Sequence, residues 1–315
     1  MLKIAVCVKQ VPVVSMLKFD NETRRIVREG VPSEVNPFDL QAVTACVIIR
    51  ESMPVEIVVV TMGPPQAREA LTQCMALGAD RGIHLSDRAF AGSDTLATAR
   101  ALSLALAREA FDIIFCGINS VDAETGQVGP ELAEMLNLPQ VMGVSRIQIS
   151  KAGETATITR LNDDGHQEIL CPLPAVFTAA EGIGPEIYPS RQQMEAAEAK
   201  PIETLSAADI SSDTEPLGVS GSPTWVGEVY STESTRDGVI IRDLPADEAV
   251  AQLMAKLESR SLFGDRRGDE VPSDPRDVRQ PEGANGGTWV VAETLRGRVR
   301  PVTLELLGEA QKFAS

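Results

Sequence analysis

The sequence predicts an α/β fold: a doubly wound, mostly parallel sheet with an added antiparallel section and an extended C-terminal arm. Three observations predict it. Short apolar runs rich in β-branched residues alternate with amphipathic stretches up to residue 136, the pattern of βαβ units whose strands are covered on both faces. After Pro139 the apolar residues begin to alternate with polar ones, and a turn signature, Asn162-Asp163-Asp164-Gly165, separates two such runs, so antiparallel strands follow. Beyond Glu181 the chain turns polar, and from about residue 185 it reads as an arm.

Residues 3–8 form the first strand. Residues 11–32 form a hairpin or long loop, with Asp20-Asn21-Glu22-Thr23 between two apolar pieces. Asn36-Pro37-Phe38-Asp39 opens a helix: Asn36 can cap it, Pro37 suits its first turn, and Asp39 favours its positive end. Val43, Cys46 and Val47 give it a buried stripe, and Pro54 ends it. Residues 55–61, VEIVVVT, are a central parallel strand. Met62-Gly63-Pro64-Pro65 is its exit turn, residues 66–77 the next helix, and Gly78 its C-terminal cap. Residues 83–85 are a short strand. Ser93 or Asp94 caps an alanine-rich helix running to Glu109.

Residues 111–136, FDIIFCGINSVDAETGQVGPELAEML, are the stretch around which the rest is arranged. Ile113 to Cys116 reads as a buried strand bounded by Gly117. Pro130, Glu131, Leu132, Met135 and Leu136 read as an amphipathic helix. The loop between them is rich in small and acidic residues and closes on Gly126-Gln127-Val128-Gly129. Open α/β sheets bind ligands where such loops leave the carboxyl ends of strands. The free N–H groups of a helix start, approached closely through glycines, form an anion site suited to a nucleotide phosphate. The competing reading is an ordinary strand-to-helix turn that binds nothing, and by local pattern alone it is the commoner one.

Strands are expected at residues 144–149, 155–161 and 168–170, with 175–178 closing the antiparallel part. Residues 194–200 are rich in alanine and glutamate, and 225–241 are loosely strand-like. Residues 247–260 form a helix with Val250, Leu253, Met254 and Leu257 on one side. Residues 261–287, dense in Gly, Pro, Asp and Arg, bury too little apolar surface to order themselves and read as a disordered linker. Residues 289–292 then read as a strand, 295–299 as a turn and 302–313 as an amphipathic helix, too small a set to be a domain. The expected organisation is therefore 1–260, a linker over 261–287, and 288–315.

Composition excludes several functions. The 315 residues carry a formal net charge of −16, which repels a phosphate backbone, so nucleic acid is not expected as a partner. No run of eighteen apolar residues exists, so no membrane span is expected. The N-terminal apolar run is interrupted by Lys9 and is too short for a signal peptide. Five cysteines are scattered without a CxxC pair, as expected of buried reduced thiols in a cytoplasmic protein. His84 and His166 are the two histidines, poor material for a zinc site or a histidine-based triad.

Taken together, several segments resemble the electron-transfer flavoprotein beta subunit in order and spacing. They are Val6-Cys7-Val8-Lys9, Asn36-Pro37-Phe38, Met62-Gly63-Pro64, the run from Ala76 to Leu85, and the run from Asp122 to Pro130. The turn from Arg160 to Gln167, followed by Pro174-Ala175-Val176, also looks like that family's signature segment, although Thr157 and Phe177 stand where aliphatics are usual. The resemblance covers roughly the first 260 residues, and its specificity lies in the joint match.

The resemblance implies a beta subunit that pairs, as a heterodimer or a fusion, with an alpha subunit carrying a redox-active FAD. It implies AMP in this subunit, or in the bifurcating branch a second FAD whose ADP part takes the same place. By position, the nucleotide site would use Cys7 and Lys9 at the end of strand one, then Asn36, Pro37, Phe38 and Asp39, then Met62 and Gly63. It would also use Gly117, Asn119, Asp122, Ala123, Glu124, Thr125, Gly126, Gln127 and Val128. Lys9 would be a phosphate or flavin contact or else a solvent lysine, and Asn36 an adenine or ribose contact or a helix cap, or both. The loop from Asp122 to Pro130 resembles the bifurcating branch more than the AMP-only branch, but Ala123, Glu124 and Gly126 depart from its pattern.

The implied function is carriage of electrons between dehydrogenases and a quinone or a ferredoxin- or flavodoxin-type acceptor, with bifurcating NADH-linked activity open to the heterodimer. No catalytic acid, base or nucleophile is needed for that. Residues 190–200 sit at the family's partner-docking loop but lack a leucine anchor, which weighs against dehydrogenases of the mitochondrial kind. Trp289 to Glu293 and Arg300 to Gly308 resemble the start of the alpha subunit. The alternative is an AMP- or ATP-binding regulatory module of similar fold with no redox role. An ATP-dependent enzyme of the adenine-hydrolase type ranks below both, because Lys9-Gln10-Val11-Pro12 replaces the phosphate loop it would need.

Overall fold

The apolar residues of the N-terminal strand divide strictly between two faces, and that division organises the sheet. In a computed structural model, which describes residues 1–20, 25–27, 30–162, 165–227, 238–260, 290–292, 294–295 and 298–313, strand β1 (Leu2–Cys7) is central. Ile4 and Val6 point into one core with Leu40, Val43, Leu71 and Met75. Ala5 and Cys7 point into the other, with Leu102, Leu106 and Leu132. This is the period-two alternation of a strand covered on both sides.

The chain then runs β2 (Gln10–Pro12), β3 (Lys18–Asp20), β4 (Arg25–Val27) and β5 (Ser33–Val35), where β3 pairs with β4 and β2 with β5, both antiparallel. Helix α1 (Pro37–Ser52) follows, then β6 (Val55–Met62), α2 (Arg68–Leu77), β7 (Arg81–Leu85), α3 (Thr95–Leu106), β8 (Ile113–Gly117) and α4 (Val128–Leu136). Gly78 ends α2 at φ 135°, where a Cβ would lie 2.9 Å from Val47 Cγ2, so glycine is required there. Asp94 caps α3 by accepting the Ala97 N–H at 3.0 Å, and the helix stops at Leu106 rather than Glu109.

Next come β9 (Gln140–Ile149), β10 (Thr155–Asn162), β11 (Gly165–Pro172) and β12 (Ala175–Ala179), then α5 (Arg191–Ala197), β13 (Ile202–Leu205) and α6 (Ala207–Ile210). The nine strands of the main sheet lie in the order β11-β10-β9-β12-β8-β1-β6-β7-β13. From β9 to β13 all neighbours are parallel, and β10 and β11 add the antiparallel edge. The chain leaves β1 toward β6 on one side and returns on the other side at β8. The gap between β1 and β8 is therefore the topological switch point.

Several sequence expectations need correction. Residues 175–178 do not close the antiparallel part: β12 inserts parallel between β8 and β9. It is buried at every position, which only a strand covered on both faces can be. Strand β13, at the edge beside β7, lies in the polar stretch where no strand is expected; it is short and half-exposed. The described parts of 225–241 belong to no strand. The turn Asn162–Gly165 joins β10 to β11 as expected, with Asp163 and Asp164 outside the described residues. The linker expectation over 261–287 and Trp289 also fall outside them.

The chain forms two compact units, Met1–Glu233 and Ser234–Ser315. In the second, α7 (Ala246–Ser259), β14 (Thr294–Leu295), β15 (Arg298–Val299) and α8 (Pro301–Phe313) are described. Residues 290–292 are not strand; a two-residue hairpin, β14 with β15, stands in and around the expected turn. Helix α7 buries none of its residues.

Phe115 on β8 and Phe177 on β12 are partners in register and fully buried, with ring centroids 5.7 Å apart. Phe115→Ala removes that contact and leaves a cavity at the sheet's centre. We expect it to lower stability by about 3–5 kcal/mol, read as a shifted urea midpoint in the full chain.

Candidate functional site

The carboxyl ends of β1 and β8 are held by the start of α1. Asp39 lies in the first turn of α1, buried. Its Oδ2 accepts the Lys9 N–H at 2.8 Å, just past β1, and its Oδ1 accepts the Gly117 N–H at 2.8 Å, at the end of β8. One carboxylate thus satisfies two backbone donors that the ladder leaves unpaired where the strands diverge. Asn36 donates from Nδ2 to the Asn119 carbonyl at 2.8 Å and accepts the Val121 N–H on Oδ1 at 3.1 Å. Its own N–H donates to the Lys9 carbonyl at 2.9 Å. Its side chain does not cap α1, so the capping expectation is corrected: the amide is spent across the switch point instead.

Gly117 is forced by this arrangement. A Cβ there would sit 2.3 Å from Asp39 Oδ1, 2.9 Å from Phe38 Cβ and 3.0 Å from Asn36 Nδ2. Thr61 Oγ1 donates to the Val8 carbonyl at 2.7 Å, tying the end of β6 into the same group. Burial pushes the Asp39 carboxyl up to about 7, against the backbone donors from Lys9 and Gly117 and the hydrogen bond from Asn36, which favour its charged form.

The loop after β8 folds on itself. Ser120 O accepts N–H groups from Ala123 and Glu124. Glu124 and Gly126 sit at φ 53° and 64°. Lys9 Nζ donates to both oxygens of Asp122, at 2.7 and 2.9 Å, and to Ser120 Oγ at 3.3 Å, so the lysine straps this loop to β1. Burial raises the Asp122 carboxyl, but the Lys9 hydrogen bond and charge outweigh it and hold it below the usual range. The loop delivers Gln127 to the start of α4, where no side chain caps the helix. Gly129 lets that start pack on β12, since a Cβ would lie 2.5 Å from Thr178 Cγ2. The first turn of α4 therefore keeps backbone donors that no side chain claims.

These pieces wall a cavity of about 1230 Å³. Of the residues singled out from the sequence, Cys7, Lys9, Asn36, Asp39, Met62, Gly63, Gly117, Asn119, Ala123, Thr125, Gly126, Gln127 and Val128 line it. Pro37, Phe38, Asp122 and Glu124 do not: Phe38 packs against Gly117, and Asp122 is engaged by Lys9. Sequence reasoning missed a second wall made of Ser86 to Arg88 and Phe90 to Thr95, after β7, and Thr224 to Val226. The first of these lies at a strand's carboxyl end and was readable by the rule that located the rest. The second carries no local signal.

The chemistry of the lining fits a nucleotide. Asn119 Oδ1 is buried with no hydrogen-bond partner, an acceptor waiting for a donor such as an exocyclic amine or a hydroxyl. The start of α4 offers amides to an anion. Cys7 and Cys116 share the wall, and the hydrogen bond with Cys7, together with burial, holds the Cys116 thiol well above its usual range, so it stays a protonated thiol and not a nucleophile. Among the described residues no cluster of His, Cys, Asp or Glu could hold a metal ion, and no helix is long and apolar enough to cross a membrane.

Residues 23–210 match the family described as the electron transfer flavoprotein domain. The chain is similar to the electron transfer flavoprotein subunit beta of Thermoanaerobacterium thermosaccharolyticum, at 39% identity over 263 residues, covering 83% of this chain and 100% of that protein. It is similar to the caffeyl-CoA reductase-Etf complex subunit CarD of Acetobacterium woodii, at 35% over 264 residues, 83% of this chain and 100% of that one. It is also similar to the protein FixA of Azorhizobium caulinodans, at 36% over 268 residues, 81% and 95%.

The buried Asp39 gives a pH test with a definite sign. Its folded value near 7 lies above an ordinary unfolded aspartate near 4, so between those values the folded state binds more protons and this group's contribution to stability falls as pH rises. Asp39→Asn cannot titrate. We expect the stability of the unaltered chain, measured relative to Asp39→Asn by urea unfolding, to decline between pH 5 and pH 8.

Proposed function

The chain belongs to the electron transfer flavoprotein family, and from that premise we propose that it is a beta-type subunit whose switch-point cavity holds an adenine nucleotide, FAD in preference to AMP. The subunit carries electrons; it is not built for acid–base or nucleophilic chemistry. The observation that supports the nucleotide is the cavity itself, with an uncapped helix start, glycines that keep side chains out, and the unpartnered Asn119 Oδ1 on its wall. Its volume of about 1230 Å³ exceeds the 300–1,000 Å³ usual for small-molecule sites, which favours a dinucleotide over a mononucleotide.

In this reading the amides at the start of α4 bind phosphate oxygens, with Gly126 allowing close approach. Lys9 balances the anion while Asp122 holds the lysine in place. Asn119 accepts a hydrogen bond from the base or a sugar hydroxyl. The clasp of Asp39 and Asn36 ties the ends of β1 and β8 together beside the cavity. Flavin, when bound, supplies the redox chemistry; the protein fixes its position and surroundings. An alpha-type subunit bearing FAD is the proposed partner. The exposed Val250, Leu253 and Met254 of α7 offer an apolar stripe for it. The segment 288–315, similar to the start of such a subunit, is proposed as a piece of that type joined to the beta-type chain, and a dehydrogenase as the donor.

Two measurements check the reading. Heating the purified chain and chromatographing the supernatant should release FAD, or AMP if the site is the simpler kind; release of ATP alone would favour the regulatory module. Mixing the chain with an alpha-type subunit and adding reductant should bleach flavin absorbance in a stable heterodimer, and absence of both complex and bleaching would end the electron-carrier proposal.

A further inference from the structure

We propose that Trp225 stacks on the planar heteroaromatic ring of the nucleotide and sets how tightly that ring is held; this rests on the nucleotide reading of the cavity. Trp225 lines the cavity, yet it is 85% exposed, and the adjoining Val226 is 82% exposed. A tryptophan left open to water at the mouth of a cavity is a large apolar surface without cover. Among the described residues, Phe90 is the one other aromatic in the lining, and it is buried. Trp225 is therefore the flat side chain at the rim with a free face.

The backbone that carries it is pinned. Asp94 Oδ2 accepts both the Thr224 N–H at 3.0 Å and the Thr224 hydroxyl at 2.8 Å, while the Asp94 N–H donates to Ser222 Oγ at 2.8 Å. Ser222 Oγ donates in turn to the Gly218 carbonyl at 2.7 Å. Gly218 lies at φ 60°, against Ala89 O, where a Cβ would be 2.2 Å away. The segment 218–224 is thus laid closely along the 89–94 loop, and Trp225 follows the last anchored residue. Desolvation of Asp94 is outweighed by these donors, so its carboxyl stays below the usual range and charged.

The two helix starts at the cavity sort the ligand's ends. That of α3 is already filled by the Asp94 side chain, which accepts the Ala97 N–H. That of α4 has no side-chain cap. An anionic group is therefore directed to α4 and away from the Asp94 carboxylate, which leaves the neutral ring for the side where Trp225 stands.

The test uses the full chain freed of nucleotide, titrated by calorimetry with FAD, ADP and AMP. Trp225→Leu keeps an apolar side chain and loses the flat face; Trp225→Phe keeps a ring. We expect Trp225→Leu to weaken FAD binding about ten-fold or more, with Trp225→Phe recovering most of it. Weakening of FAD alone assigns the flavin ring to Trp225, and equal weakening of FAD, ADP and AMP assigns the adenine. In a Trp289→Phe background, where Trp225 is the remaining tryptophan, its emission should be quenched on adding FAD. Unchanged FAD, ADP and AMP affinities in Trp225→Leu, or unquenched emission at saturating FAD, would overturn the stacking. If the unaltered chain binds none of the three, it is the nucleotide reading that fails.

Discussion

One buried carboxylate holds the functional end of this sheet together. Where β1 and β8 diverge, each strand leaves a backbone N–H with no ladder partner, and buried donors of that kind must be satisfied. Asp39 satisfies both, at 2.8 Å each. The cost is desolvation, visible as a carboxyl pushed up to about 7. In return the switch point gets a fixed width, and the loop that leaves β8 starts from a defined place. The nearby Asn36 extends the same logic to Asn119 and Val121. Every later feature of the site, from the Lys9–Asp122 strap to the start of α4, is hung on these bonds.

The result is a site in which glycines bring backbone up to the wall. Gly117 cannot carry a side chain because the clasp occupies the space, and Gly129 cannot because β12 does. The Cys116 thiol on the wall is buried and held protonated, and the carboxylates near it are already engaged, Asp39 by amides, Asp122 by a lysine and Asp94 by a helix start and Thr224. Such a lining is suited to holding a ligand by shape and hydrogen bonds, with its carboxylates already engaged. That suits a subunit whose redox chemistry belongs to a cofactor, because position and dielectric surroundings are then what the protein supplies.

The outer wall obeys different rules. Ser86 to Thr95 follows β7, and Thr224 to Val226 arrives from far along the chain. The two are joined through Asp94, whose side chain serves a helix cap and a long-range anchor at once. A residue that performs both roles couples the geometry of α3 to the rim of the cavity. The inner wall is set by sheet topology, and the rim by a handful of polar contacts between distant segments.

Residue pattern alone determined the parallel core, the antiparallel addition and a helix over 247–260, observed at Ala246–Ser259. Those rest on local regularities: short apolar runs such as Ile113 to Cys116, bounded by glycine and alternating with amphipathic stretches. It did not determine where β12 lies, because a short apolar strand carries no mark of its neighbours. It misassigned Asn36 to capping, since an asparagine before Pro37 looks like a cap until loop residues more than eighty positions away claim its side chain. It gave no hint of β13, whose pairing is with a distant edge, or of Trp225, whose position depends on Asp94 across 130 residues. Periodicity and capping chemistry are written within a turn or two of chain; contacts between remote segments are chosen by packing, and only the folded structure decides them.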